Sequence, residues 1–210
     1  MQHKAGHWFP DSDTHFEEWT FEIGHLHELI PYITDKRVAI DGGAHVGAWT
    51  KIMALHFDEV KSFEPSPDNF ACLEKNTEDL PNVQLFNCAI GEENGRGSLH
   101  SPVNPGNSGA AWLDEGDDFE IKMLDSFGFE CVDFIKLDVE GFEPQAIQGA
   151  AITITRDKPV ILVEQKEICA RFGMHHMEAG RRLVDMGYRL LMKMNNDYVY
   201  AHPERMADEV

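Results

Sequence analysis

The chain has 210 residues, 42% of them hydrophobic, enough for one compact core and too few for two comfortable domains. Its 37 acidic residues against 18 basic ones give a formal net charge of -19; attraction to phosphate backbones or anionic lipid depends on clustered Lys and Arg, so a nucleic-acid or membrane-surface partner is disfavoured. No apolar run approaches the ~20 residues of a membrane span, Met1–Pro10 lacks a basic-then-apolar signal pattern, and Cys72, Cys88, Cys131 and Cys169 are scattered without a C-x-x-C pair. The expectation is a soluble, cytoplasmic protein with reduced core thiols and neither a zinc ribbon nor a disulfide framework.

Phe16, Trp19, Ile23, Leu26 and Ile30 recur at helical spacing between Thr14 and Ile33, with Pro31 ending the run. This predicts an N-terminal helical cap over residues 1–36 on a Rossmann-like domain spanning 37–210. His25 and His27, two positions apart, lie on different faces of that helix, which argues against a joint metal site. The apolar strand Val38-Ala39-Ile40 then ends in Asp41 and breaks into Gly42-Gly43-Ala44-His45-Val46-Gly47, which opens a helix over 46–57. A dinucleotide fingerprint runs G-x-G-x-x-G because backbone amides at the helix start must approach a pyrophosphate. Here Gly42 and Gly43 are adjacent, Ala44 holds the second glycine position, and Asp41 immediately precedes the turn. An acid repels pyrophosphate and suits a ligand carrying an ammonium, a sulfonium and hydroxyls. S-adenosyl-L-methionine is such a ligand.

The second strand ends in Glu64, about 20 residues further on, where an acid accepts both ribose hydroxyls in either cofactor class. Ser66 is placed as N-cap and Pro67 at the first position of the helix Pro67–Thr77. A third strand is predicted over Val83–Ile90. Residues 92–119 are rich in Gly, Asn, Ser, Pro and Asp, which indicates a functional loop or short edge strands. Asn104–Gly109 is either a lid or acceptor-binding element, or a surface excursion. The fourth strand, Val132–Leu137, runs into Asp138-Val139-Glu140-Gly141, where alternation points Asp138 and Glu140 the same way. Asp138 is best placed for the methionine end of the cofactor or the acceptor, and Glu140 to orient or deprotonate the acceptor, aided by like-charge repulsion that raises one pKa. Lys136 either compensates these charges or snorkels to the surface. After a helix over Glu143–Arg156, a buried fifth strand ends in Glu164. The last helix, Met177–Met186, precedes a hairpin of Tyr188–Met194 and Tyr198–His202, and His175 either caps that helix or faces the acceptor.

The run Ala39–Gly47, then Phe63-Glu64-Pro65 followed by Asn69 to Asn76, then Asp133–Glu143 and Gly149-Ala150, resembles the FkbM family of S-adenosylmethionine-dependent methyltransferases. Lys136-Leu137-Asp138-Val139-Glu140-Gly141-Phe142-Glu143 is its most family-specific part, and the resemblance extends from about Arg37 to Gln165. Gly42 departs from the family, which more often has an apolar residue there. The resemblance implies an α/β class I methyltransferase fold, with a seven-stranded, mostly parallel sheet, an antiparallel last strand and flanking helices. It also implies methyl transfer to oxygen, with a small hydroxyl-bearing molecule such as a sugar or glycan precursor as acceptor. The cofactor would meet Asp41, Gly42, Gly43, Ala44, His45, Gly47, Glu64, Pro65 and Asp138, with Asn87, Cys88 and Ala89 bordering the adenine; Asn87 serves equally as a turn residue. Asp138, Glu140 and Glu164 form the expected catalytic set. Acids at these strand ends resemble the oxygen-rich ligand sets of some catechol-type methyltransferases, but the family implies no metal, and none is expected. An NAD-dependent dehydrogenase and a cofactor-binding domain without turnover are the competing readings.

Overall fold

The computed structural model describes residues 1–14, 25–100, 108 and 111–206. Its strands are β1 (Gln2–Lys4), β2 (His7–Phe9), β3 (Val38–Gly42), β4 (Glu59–Phe63), β5 (Val83–Phe86), β6 (Cys88–Ile90), β7 (Gly95–His100), β8 (Trp112–Lys122), β9 (Val132–Leu137), β10 (Val160–Glu164), β11 (Arg189–Met194) and β12 (Asp197–Ala201). Its helices are α1 (Ala48–Ala54), α2 (Pro67–Thr77), α3 (Glu143–Gly149), α4 (Ala151–Asp157) and α5 (Glu178–Asp185); residues 25–29 are also helical, followed by a 3-10 turn over Ile30–Tyr32 that contains Pro31. The rest of the predicted cap helix, residues 15–24, lies outside the described residues.

Seven strands form one sheet in the order β5-β4-β3-β9-β10-β12-β11. The first five are parallel, and β12 runs antiparallel between β10 and β11. The predicted mostly parallel sheet with an inserted antiparallel last strand is therefore the one observed. β3, β9 and β10 are buried along their whole length because both faces are covered. Ile40, Ile135 and Ile161 pack beneath Ala146, Ile147, Ile154 and Leu183 on one face. Ala39, Phe134 and Leu162 face Leu26, Leu29, Trp49, Met53 and Phe57 on the other. Register pairs Gly42 with both Phe63 and Leu137, and Leu137 with Val163, so the carboxyl ends of β3, β4, β9 and β10 lie along one edge. Ligands of open α/β sheets bind at such an edge.

Three sequence expectations are corrected, and one open alternative is decided. The third strand breaks at Asn87, whose side-chain amide donates to the carbonyls of Glu64 (2.8 Å) and Pro65 (3.2 Å); β5 stays in the central sheet, while β6 leaves it to pair with β8. Of the two alternatives for 92–119, the described residues form strands: β7 and β8 build an antiparallel ladder in a second, three-stranded sheet. The predicted helix Glu143–Arg156 is two helices stepped at Ala150, where Gly149 passes the Gly91 backbone so closely that an added Cβ would lie 1.8 Å from its carbonyl oxygen. Cys72, Cys88 and Cys169 are buried free thiols as expected, whereas Cys131 is exposed, at a turn with φ 59°. The hairpin β1–β2 went unpredicted; it docks on α2 through Asn76, which accepts from the Trp8 amide (2.7 Å) and donates to its carbonyl (2.9 Å).

At the opposite end of the sheet, the fully buried Asp133 accepts from the Arg37 amide, Nε and Nη2 and from Arg205 Nη2, at 2.6–2.9 Å. Burial pushes this carboxyl up, but the Arg37 hydrogen bonds outweigh it and hold it below its ordinary value. A depressed folded pKa stabilises above the unfolded value and is lost as pH falls through the folded one. Arg37→Ala, which removes two of the four donors to Asp133 and leaves the residue-37 amide and Arg205, is expected to cost about 3 kcal/mol in urea unfolding and to move acid unfolding to higher pH.

Candidate active site

The turn after β3 is locked to the loop after β9. Gly43 has φ 77°, and a Cβ there would lie 1.8 Å from the Asp138 carbonyl oxygen; the Asp138 amide in turn donates to the Gly42 carbonyl (3.1 Å). The family departure at Gly42 has a packing reason, since a Cβ would fall 2.8 Å from Leu137. Gly47 (φ 94°) starts α1 against Leu73. The amides of Gly43 and Ala44 both donate to the Phe63 carbonyl (3.0 and 2.9 Å), His45 N donates to Glu64 Oε2 (2.8 Å), and Gly47 N to the Ala44 carbonyl (2.8 Å). With these four amides engaged inside the protein, the turn does not offer them as the anion cradle a pyrophosphate requires.

Carboxylates surround the turn instead. Asp41 is fully buried beneath it, accepting from Thr50 Oγ1 (2.6 Å) and lying 3.4 Å from Lys136 Nζ, so it braces the turn from below. Lys136 is buried rather than snorkelling; its ammonium donates to the Gly43 carbonyl (2.8 Å) and stands 4.0 Å from Asp138. Glu64 is 6% exposed and accepts from the amides of His45 and Ser66. Pro65 follows it at the strand end, and Cys88 and Ala89 are buried on β6 next to the Asn87 clamp. His45, kept neutral by burial that lowers its pKa to about 4, donates from Nε2 to Ser108 Oγ (2.5 Å), which donates onward to Asp13 (2.5 Å). The Ser108 carbonyl also accepts from Asn69 (3.2 Å). The predicted lid Asn104–Gly109 lies outside the described residues except for Ser108, and that residue touches the glycine turn.

A second group sits across the edge. Asp138, Glu140 and Glu164 each offer an oxygen within 4.8 Å of the others. Glu140 adopts φ 52° at the tip of its turn, held in place by Glu143, which accepts from the amides of Val139 (2.9 Å) and Gly141 (3.1 Å). Lys166 Nζ lies 2.6 Å from Glu164 and 3.9 Å from Glu140. Burial first, then the Asp138 charge, pushes Glu140 up to about 7 and Glu164 up to about 10. Sequence reasoning assigned Glu143 and Lys166 no role, though Glu143 closes the family motif and Lys166 follows Glu164 by two positions in an extended chain. His175 is exposed and accepts from the Met177 amide (3.2 Å) just before α5, the cap-like alternative.

Burial raises Glu64 from 4.5 to about 7. A raised folded pKa stabilises fully below the unfolded value and the contribution is lost as pH rises through the folded one. The ligand-free protein is therefore expected to lose melting temperature between about pH 4.5 and 7, and Glu64→Gln to flatten part of that slope; a thermal melt series checks it, and an unchanged slope removes Glu64 as its source.

Residues 41–190 match the model of the methyltransferase FkbM domain. The chain belongs to that family. No curated protein matches it. Among solved structures, the FkbM methyltransferase from Methylobacillus flagellatus KT shares 18% identity at TM-score 0.58, covering 80% of this chain and 44% of its own, so the present chain spans less than half of that protein. An rRNA methylase from Streptococcus thermophilus (12% identity, TM-score 0.51, 85% and 93% covered) and SMU.1697c, a putative methyltransferase from Streptococcus mutans in complex with SAH (12%, 0.52, 85% and 94%), have the same fold. The turn, Glu64 and the Asp138–Glu140 loop all fall within the matched FkbM domain.

Proposed function

We propose that this FkbM domain binds S-adenosylmethionine at the Asp41–Gly47 turn and transfers its methyl group to a hydroxyl of a small molecule, such as a sugar or glycan precursor. The observation that carries the reading is the turn itself: its amides are engaged internally and braced from below by Asp41, while Glu64 and Asp138 border it, an arrangement for a cationic nucleoside rather than a dinucleotide. Glu64 takes the ribose hydroxyls, Cys88 and Ala89 border the adenine, and Asp138 faces the methionine end. When bound, the sulfonium supplies an already electrophilic methyl group. The chain's own task is to align an acceptor lone pair and exclude water, gains of proximity and orientation. Glu140, with a pKa near 7, accepts the hydroxyl proton as general base. Residues 1–36 serve as a cap on the domain 37–210, bringing Asp13 to the Ser108–His45 contact.

The net charge of -19 favours a small acceptor over RNA, despite the rRNA methylase that shares the fold. Because its methyl donor is a cytoplasmic metabolite, the same reading makes this a cytoplasmic enzyme. Incubation with methyl-labelled S-adenosylmethionine and a panel of sugars, sugar nucleotides, hydroxylated amino acids and RNA, with the product methyl located by NMR, tests the proposal. An O-methyl small molecule is expected. Label on nitrogen or in RNA refutes the acceptor assignment, and cofactor binding without label transfer across the panel indicates a domain that has lost turnover.

A further inference from the structure

We propose that Asp138, Glu140 and Glu164 form a binding site for one divalent cation of the hard, oxygen-seeking class. The family resemblance implies no metal, and the inference stands on the geometry of these three side chains, independently of the methyl-transfer reading. They come from two chain segments, the loop after β9 and the end of β10, and present oxygens within 4.8 Å of one another. Two oxygens sharing one ion lie at most twice the metal–oxygen distance apart, about 4.2 Å for Mg2+ and about 4.8 Å for Ca2+, so the three side chains are at the outer limit of one ion's reach and would draw in by a few tenths of an ångström to close on it.

A cluster of acids does not by itself call for a metal. What does is Glu164, whose side chain is 9% exposed and whose Oε2 is buried without a hydrogen-bond partner, while Oε1 alone takes the Lys166 ammonium. A buried carboxylate oxygen without a donor is a costly arrangement that native proteins relieve with a partner, water or ion. Asp41, Asp138, Glu140 and Glu164 lie within 4.0 Å of Lys136 or Lys166, so four carboxyl groups share two ammonium groups. The neighbouring Glu143 is occupied by two backbone amides and Asp197 by His25 (3.2 Å), so neither competes for the ion. Lys166 is 36% exposed and free to swing toward solvent as the ion enters.

Mn2+ serves as the probe, titrated into the full chain in physiological salt, which screens adventitious attraction to the acidic surface, with free Mn2+ read by electron paramagnetic resonance. One ion per chain is expected, with affinity reduced about tenfold or more in Glu164→Gln and in Asp138→Asn, and increased in Lys166→Met, which removes the competing ammonium. Circular dichroism verifies that each variant folds, and the two carboxylate variants report independently if one does not. No saturable binding at millimolar Mn2+, or binding unchanged in the folded carboxylate variants, overturns the proposal. Because the readout is metal binding and not turnover, its failure leaves the methyl-transfer reading untouched.

Discussion

Gly43→Ala is expected to cost about 3 kcal/mol of stability or more and to weaken S-adenosylmethionine binding about 100-fold. The left-handed backbone (φ 77°) costs an L-residue about 1–2 kcal/mol on its own. The greater part of the cost is steric, since the new Cβ would fall 1.8 Å from the Asp138 carbonyl oxygen, a backbone atom that cannot rotate away. Relief requires the β3 turn and the β9 loop to part, which breaks the 3.1 Å bond from Asp138 N to the Gly42 carbonyl and carries Asp138 away from Lys136. Both halves of the proposed cofactor cradle move at once. Gly95→Ala, whose Cβ would meet nothing within 4 Å, is the matched control and should change stability by less than about 0.5 kcal/mol. Denaturant unfolding and calorimetry on both variants read the two effects; a Gly43→Ala protein that unfolds and binds like its parent contradicts the proposed cradle.

Glu140→Gln should lower kcat by about 10²–10⁴ while leaving cofactor affinity within about threefold. Its carboxylate lies 3.9 Å from Lys166 and beside Asp138, outside the hydrogen bonds that fix the glycine turn, so the cofactor half survives the change. Burial and the Asp138 charge push Glu140 up to about 7, and a general base works only when deprotonated. In metal-free buffer, turnover of the parent should therefore rise as pH increases through about 7, and the variant should lose that limb. A variant with normal turnover removes Glu140 from the mechanism.

Much of this site could be read from residue order because strand-end acids in a parallel sheet converge by topology. Asp41, Glu64, Asp138 and Glu164 each end an apolar run, and register alone brings those ends to one edge. Side-chain direction was less accessible. Asp41 was expected to face the ligand, yet Thr50 and Lys136 hold it beneath the turn, a consequence of packing between β3, α1 and β9 that no local pattern encodes. Lys136 was ambiguous for the same reason. The strands β7 and β8 were obscured by turn-forming residues such as Gly95, Gly97 and Gly116, which here sit on a small, bulged second sheet. A signal for the β1–β2 hairpin was present: Ala5-Gly6, both at positive φ, joins Lys4 to His7 through the two-residue connection typical of tight hairpins, and His7-Trp8-Phe9 has strand-forming character. Asp13 meeting Ser108 and His45 is a long-range contact between segments with no shared motif, and only the fold discloses it.

Under the proposed function, the turn between Asp41 and Gly47 accepts a sulfonium nucleoside and rejects a pyrophosphate. Isothermal titration of the purified chain with S-adenosylmethionine, S-adenosylhomocysteine and NAD tests it most directly. Saturable binding of the two sulfur ligands with no heat from NAD is the predicted result; binding of NAD alone, or of none of the three, would contradict the account.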